Sequence, residues 1–204
     1  MNIEPIILAG SAVRLEPLSE THHAGLCEIG LDEDIWRLIP YRVATPEQMA
    51  EYIRAAFDSP TVLAFATVEI ATGKPVGSTR FMNIDTANRR VEIGSTFLGK
   101  QWQRTVVNTE AKYLMLRHAF ETWHCIRVEL KTDAINDRSR AAILRIGAKE
   151  EGTLRRHTLT WSGRVRDTVY FSILDAEWPE VKANLERKLA ARHTRAGFTS
   201  TLRP

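Results

Sequence analysis

Between Val91 and Gly147 the sequence passes from a strand pattern through the loop GKQWQRTVV into the helical pattern NTEAKYLMLRHAFETW. A helix that begins directly after a strand presents unpaired backbone N–H groups and a positive dipole end, and together these form an anion site. Residues 103–110 are such a place. Phosphate loops commonly use glycine to let the backbone approach the ligand, and this stretch has none. On that ground alone it belongs with the many helix approaches that bind nothing. Asn136 or Asp137 stands where a cap would open a shorter helix, which Gly147 stops. Asp32, Glu33, Asp34, Trp36 and Tyr41 form a third group, acids mixed with aromatics in one loop. Cys27 and Cys125 lie far apart, with no Cys/His spacing for zinc, so no metal is expected. Cys125 starts an apolar strand and is a poor nucleophile there. His118 and His124 fit helix packing and a helix end better than catalysis.

The elements that would position these residues follow from hydrophobic period. Residues 12–16 alternate as a strand, and a Ser/Thr start leads into helical spacing of Leu26, Ile29 and Leu31. Thr45 caps a second helix with Pro46 in its first turn and Met49, Ile53 and Phe57 four apart. VLAFATVEI and PVGSTRFMNI form a hairpin about Gly73, and RRVEIGSTFL is a third strand. Strict alternation along it places Val91, Ile93, Ser95 and Phe97 on one face, with Glu92, Gly94 and Thr96 on the other. The next helix is expected to be capped by Asn108 or Thr109, to use Glu110 against its dipole, and to bury Ala111, Leu114, Met115 and His118. CIRVELKT reads as a buried strand, so the crossover sets strands 91–98 and 125–132 side by side and parallel. Strands 152–161 and 165–174, joined at Ser162-Gly163, precede a last amphipathic helix. The fold class is α/β: a mixed, mostly antiparallel sheet of six or seven strands, helices on both faces and a central parallel pair.

The chain has 204 residues, 44% of them hydrophobic and 26% charged, which fits one globular domain, assigned to 1–193. The formal net charge of +3 does not call for nucleic acid. The basic excess sits at the end, where Lys182, Arg187, Lys188, Arg192, Arg195 and Arg203 face only Glu186, and residues 194–204 read as a flexible tail. The amino terminus lacks the pattern of a signal peptide, and no stretch approaches the roughly 18 apolar residues of a membrane span. A cytoplasmic protein is expected.

The segments VNTEAKYLMLRHAFE, CIRVELKTDAINDRSRAAILRIGA and EEGTLRRH…RDTVYFSILDAEWPEVKANL, with the opening VRLEPLSETH, resemble the GNAT superfamily of N-acetyltransferases in order and spacing. They are most similar to the branch containing the ribosomal-protein N-terminal acetyltransferases. The resemblance implies an enzyme that moves an acetyl group from acetyl-CoA to a primary amine, on a protein N-terminus or a small molecule, by direct attack. It also implies that residues 103–109 hold the coenzyme A pyrophosphate, with Gln103 and Asn108 matching the family pattern. Val106 stands at the pattern's glycine and Arg104 at another small position, while Thr105, Val107 and Thr109 complete the loop. These departures motivate an alternative, a non-catalytic acyl-CoA-binding or regulatory protein.

By the same resemblance Phe97 and Leu98 border the thioester, the backbone near Thr96–Leu98 polarises its carbonyl, and Asn136 holds the pantetheine arm. Ser139 returns a proton to the leaving thiolate. Glu92 accepts the proton of the amine, whose ordinary pKa of about 8 (α-amino) or about 10.4 (lysine) leaves it mostly charged at neutral pH. Asp34, Trp36 and Tyr41 border the acceptor on one side and Tyr170 on the other. A homodimer is a further expectation, since relatives often dimerise.

Overall fold

The computed structural model describes residues 1–198. Eight strands form one sheet: β1 (Leu8–Ala9), β2 (Val13–Pro17), β3 (Leu63–Glu69), β4 (Pro75–Asp85), β5 (Arg90–Leu98), β6 (Arg127–Asp133), β7 (Lys149–Leu159) and β8 (Val165–Leu174). Their order is β1-β2-β3-β4-β5-β6-β8-β7, antiparallel throughout except for the parallel β5–β6 pair. The class is the expected one. The count exceeds the expected six or seven because the amino terminus adds the two-residue edge strand β1.

Six α-helices cover the sheet: α1 (His23–Gly30), α2 (Glu33–Trp36), α3 (Pro46–Arg54), α4 (Val107–Arg117), α5 (Asp137–Arg145) and α6 (Trp178–Phe198). Thr45 caps α3 through its side chain, with Pro46 following, as its sequence requires. α4 departs from expectation. Val106, not Asn108 or Thr109, is its N-cap, and the helix loosens into a π-turn at His118–Thr122, where the His118 ring packs on Phe81 and Trp123. α6 continues past the expected domain end at 193, and residues 199–204 of the expected tail lie outside the described residues.

The two faces of the sheet differ. One is sealed from β2 to β8: Phe65, Phe81, Ile93, Val128 and Phe171 meet Leu114 and Met115 of α4 and Leu185 of α6 in one apolar cluster, and the edge strand β7 stays exposed. On the other face, α1, α2 and α3 bury Leu26, Trp36, Met49 and Ile53 against Ala64, Ala66 and Phe97. That second layer stops at β5.

Glu110 does more than suit a dipole. Burial would raise its pKa, but the Ser11 hydroxyl and the N–H groups of Ser11, Val13 and Ala12 all donate to its carboxylate, and the net effect is to lower it. One side chain thereby ties α4 to the start of β2.

Candidate functional site

The working region forms where β5 breaks its own alternation. Ser95 adopts a left-handed backbone (φ 48°), and β5 gains one residue on β4 between the pairs Arg80↔Gly94 and Ser78↔Phe97. This bulge turns over everything after it. Phe97 leaves the face of Val91 and Ile93 and joins the cluster under α3, while Thr96 turns to the α4 side. The expected shared face of Val91, Ile93, Ser95 and Phe97 therefore ends at Ile93, because a strand's period of two is reset by an inserted residue. β4 answers with a bulge of its own at Asn83 (φ 49°).

Beyond these bulges β5 and β6 part. Their parallel register comprises Arg90↔Arg127, Val91↔Val128 and Glu92↔Glu129 and goes no further, although both strands continue. A wedge opens in the middle of the sheet just past Glu92.

Glu92 is 3% exposed and forms an ion pair with Lys131 (2.9 Å) while accepting from Asn83 Nδ2 (2.8 Å). Gly94 makes room for it, since a Cβ there would stand 2.9 Å from Glu92 Oε1. Lys131 in turn lies 5.8 Å from the Tyr170 ring centroid, and His157 meets that ring edge-on. Across β5, Tyr41 and Tyr52 both reach the Ser95 hydroxyl, and their rings contact Trp36, as does Phe97. Burial of the Tyr41 phenol, with the Tyr52 phenol beside it, raises its pKa, so Tyr41 stays protonated and is no base at neutral pH. The β7–β8 turn holds the 31–42 segment over this floor: Trp161 donates its ring N–H to the Trp36 carbonyl (3.0 Å) and its backbone N–H to Pro40 (2.8 Å), and Arg42 stacks on its ring.

At the other end of the wedge the glycine-free loop folds without difficulty. Arg104, not Val106, takes the left-handed backbone (φ 66°); Val106 is ordinary right-handed helix. Gln103 donates to the Leu98 carbonyl (2.9 Å), and Thr105 accepts from the Val107 N–H (3.3 Å). Val106 at the N-cap supplies no side-chain cap to α4, whose first turn holds Val107, Asn108 and Thr109. Thr109 accepts from Arg145 of α5 (3.4 Å).

A family model described as an acetyltransferase (GNAT) domain matches residues 12–149. The chain belongs to the GNAT acetyltransferase family. A GCN5-related N-acetyltransferase from Brucella melitensis is 34% identical, with a TM-score of 0.85, over 92% of this chain and 86% of that one. A Bacillus subtilis (strain 168) relative named "Putative ribosomal N-acetyltransferase YdaF" is 35% identical over 106 residues, which is 52% of this chain and 57% of that protein, so the match spans little more than half of that relative. Mycobacterium smegmatis RimJ, solved in complex with CoA-disulfide, shares the fold at 24% identity and a TM-score of 0.74, covering 91% of this chain and 92% of that one.

As a GNAT acetyltransferase the protein is an acyltransferase. The fold brings Glu92, Tyr170 and Tyr41 around one wedge, with Trp36 and Phe97 buried behind Tyr41 and the loop 103–109 at its far end. It sets others apart. Asp34 and Asp32 both pair with Lys100 (2.7 Å each), just ahead of that loop, and Glu33 pairs with Arg42. Asn136 caps α5 by accepting from the Ser139 N–H (3.0 Å), and Ser139 is half-buried in that first turn. Among the described residues no group of three His, Cys, Asp or Glu side chains could hold a metal ion, and no helix is long and apolar enough to cross a membrane.

Sequence reasoning missed Tyr52, Asn83, Ser95 and Lys131. Lys131 alone carried a signal, as one of the charges that alternate with Val128 and Leu130 along its strand. It also missed Lys112, which is 6% exposed on α4 and donates to Thr96 (2.7 Å) and Thr79 (3.2 Å) beneath the bulge. Burial pushes its pKa down to about 7.

Proposed function

We propose that this acetyltransferase moves an acetyl group from acetyl-CoA to a primary amine, on a protein N-terminus or a small molecule, by direct attack. The observation that carries this reading is the parting of β5 from β6 after Glu92, between a polar floor and the start of α4. Unpaired strand edges supply hydrogen-bonding groups to a linear ligand, and a helix start favours phosphate. The backbone of Gln103, Arg104, Thr105, Val106, Val107, Asn108 and Thr109 would meet the pyrophosphate, with Arg104 adding charge-assisted bonds from an exposed position. Phe97 and Leu98 border the thioester, and a backbone N–H near them polarises its carbonyl.

The amine nitrogen forms a bond to the acyl carbon, the carbon–sulfur bond breaks, and the coenzyme leaves as thiolate. Glu92 takes the proton the amine sheds, directly or through water, with Lys131 and Asn83 holding its carboxylate in place. Ser139 returns a proton to the sulfur, and Asn136 steadies its turn. The acceptor lies against Tyr41 and Tyr170; Trp36, expected beside it, is fully buried and only backs the Tyr41 ring. Asp34, tied to Lys100, positions the loop over it.

Thiol release from acetyl-CoA with a panel of amines and peptides, alongside calorimetric titration of coenzyme A, tests the reading. Saturable release with micromolar to millimolar coenzyme affinity supports it. No heat and no thermal shift at millimolar coenzyme would end it. Turnover of Glu92→Gln within threefold of wild type at every pH would remove Glu92 as base.

A further inference from the structure

The open half of the second sheet face holds more positive charge than it compensates. Lys131 is neutralised by Glu92, and Arg164 pairs with Asp133. Arg166 is different. It is 6% exposed, its Nε has no hydrogen-bond partner, and among the described residues no carboxylate forms an ion pair with it. Alternation along β8 puts it on the side of Thr168 and Tyr170, away from Val169 and Phe171 in the sealed core. Asp133, Arg164, Glu92 and Tyr170 are near enough to act on its charge. Arg80, half-buried on β4, shares one feature with it. Its guanidinium stacks on Tyr52 (4.2 Å) and donates to the Tyr52 carbonyl (2.9 Å), while its Nε is buried and unpartnered.

An arginine keeps its charge at any pH where a protein is folded, so the cost of burial cannot be relieved by losing a proton. An uncompensated buried guanidinium is among the more costly features a fold can retain. It becomes favourable when a ligand brings the missing anion, to which a guanidinium binds through two parallel hydrogen bonds. Coenzyme phosphates are not that anion, because α4, whose start would hold them, packs on the opposite face of the sheet. The acids of the 31–42 loop are not it either, since Lys100 and Arg42 engage them.

We propose that the acceptor is an amine that also carries a carboxylate, which Arg166, assisted by Arg80, binds while the amine faces Glu92. This rests on the acyl-transfer reading of the same wedge. Two sources supply the chemistry: a free amino acid, or a peptide whose N-terminal residue has an acidic side chain.

Calorimetric titrations of the full chain, with and without saturating coenzyme A, would compare β-alanine and 4-aminobutyrate with their amides. They would also compare Asp-Ala-Ala-amide with Asn-Ala-Ala-amide. The expected result is at least tenfold tighter binding of the carboxylate in one of these series, and the series that shows it names the source. Arg166→Met should bring that ratio close to one without weakening coenzyme A binding, Arg166→Lys should restore part of it, and Arg80→Met should reduce it. Thermal melting of each variant separates lost recognition from lost folding. Equal or tighter binding of every amide would overturn the proposal, as would an unchanged ratio in folded Arg166→Met. If thiol release shows amines acetylated without regard to a carboxylate, this inference fails and the acyl-transfer reading stands. If carboxylates bind through Arg166 but no amine is acetylated, the reverse holds.

Discussion

The sheet carries two kinds of surface on one backbone. From β2 to β5 both faces are sealed by apolar side chains, and Glu110 at their margin has a full set of partners. On β6 and β8 only one face is apolar, and the other carries Lys131, Tyr170 and the buried Arg166. Stability resides in the first region, and the proposed recognition falls in the second. β5 belongs to both, because its bulge lets a strand that starts in the sealed sheet end beside an opening.

The largest expected effect breaks the sealed side. Glu110→Ala strands three backbone donors and should cost about 3–5 kcal/mol, read as a lower urea midpoint at unchanged slope. Because the folded-state pKa of Glu110 lies below its ordinary 4.5, its contribution is complete above that value and fades as the pH falls through the folded value. The gap between wild type and variant should therefore close in acid. A gap that is constant with pH would assign the loss to packing alone.

Lys112→Met sharpens the comparison from the opposite direction. The folded-state pKa of about 7 lies below the ordinary 10.5, so wild type should gain stability as the pH rises from about 7 to 10.5, where the unfolded chain binds the extra proton. The variant should lose that slope and be about 2 kcal/mol more stable at pH 7, since Thr79 and Thr96 still bond each other (2.8 Å). Equal slopes in thermal melts across this range would mean that Lys112 is hydrated.

On the open side the expected effects are smaller in stability. Asn136→Ala removes the α5 cap and should cost about 1 kcal/mol, with turnover falling only if that turn also positions Ser139. Trp161→Phe keeps the ring under Arg42 but loses the bond to the Trp36 carbonyl, for less than about 1 kcal/mol. Its expected signature is a raised acceptor KM with coenzyme affinity unchanged. A lowered coenzyme affinity would mean that the two ends of the wedge are not independent.

The long elements were legible in the sequence because periods of 3.6 and 2 persist along most of each element, and the parallel pair followed from a strand-helix-strand crossover. The bulges at Asn83 and Ser95 were not, since an added residue leaves composition and local hydrophobicity unchanged. Their absence from the reading misplaced Ser95 and Phe97. Glu110 looked like a dipole partner because its donors at Ser11, Ala12 and Val13 lie almost a hundred positions away. The pairing of Glu92 with Lys131 was hidden for the same reason. Arg104 and Val106 appeared equally foreign to a phosphate loop, and only backbone angles show that one of them carries the left-handed conformation.

The bulge at Ser95 makes β5 a device that counts residues. Three side chains downstream owe their direction to one surplus position. Replacing Ser95 changes a hydroxyl, whereas inserting a second residue after it would rotate Thr96, Phe97 and Leu98 through half a turn and drive a threonine into the aromatic cluster. Variation in this segment is therefore tolerable in kind and not in length, so libraries that retune the acceptor should substitute here and leave the register intact.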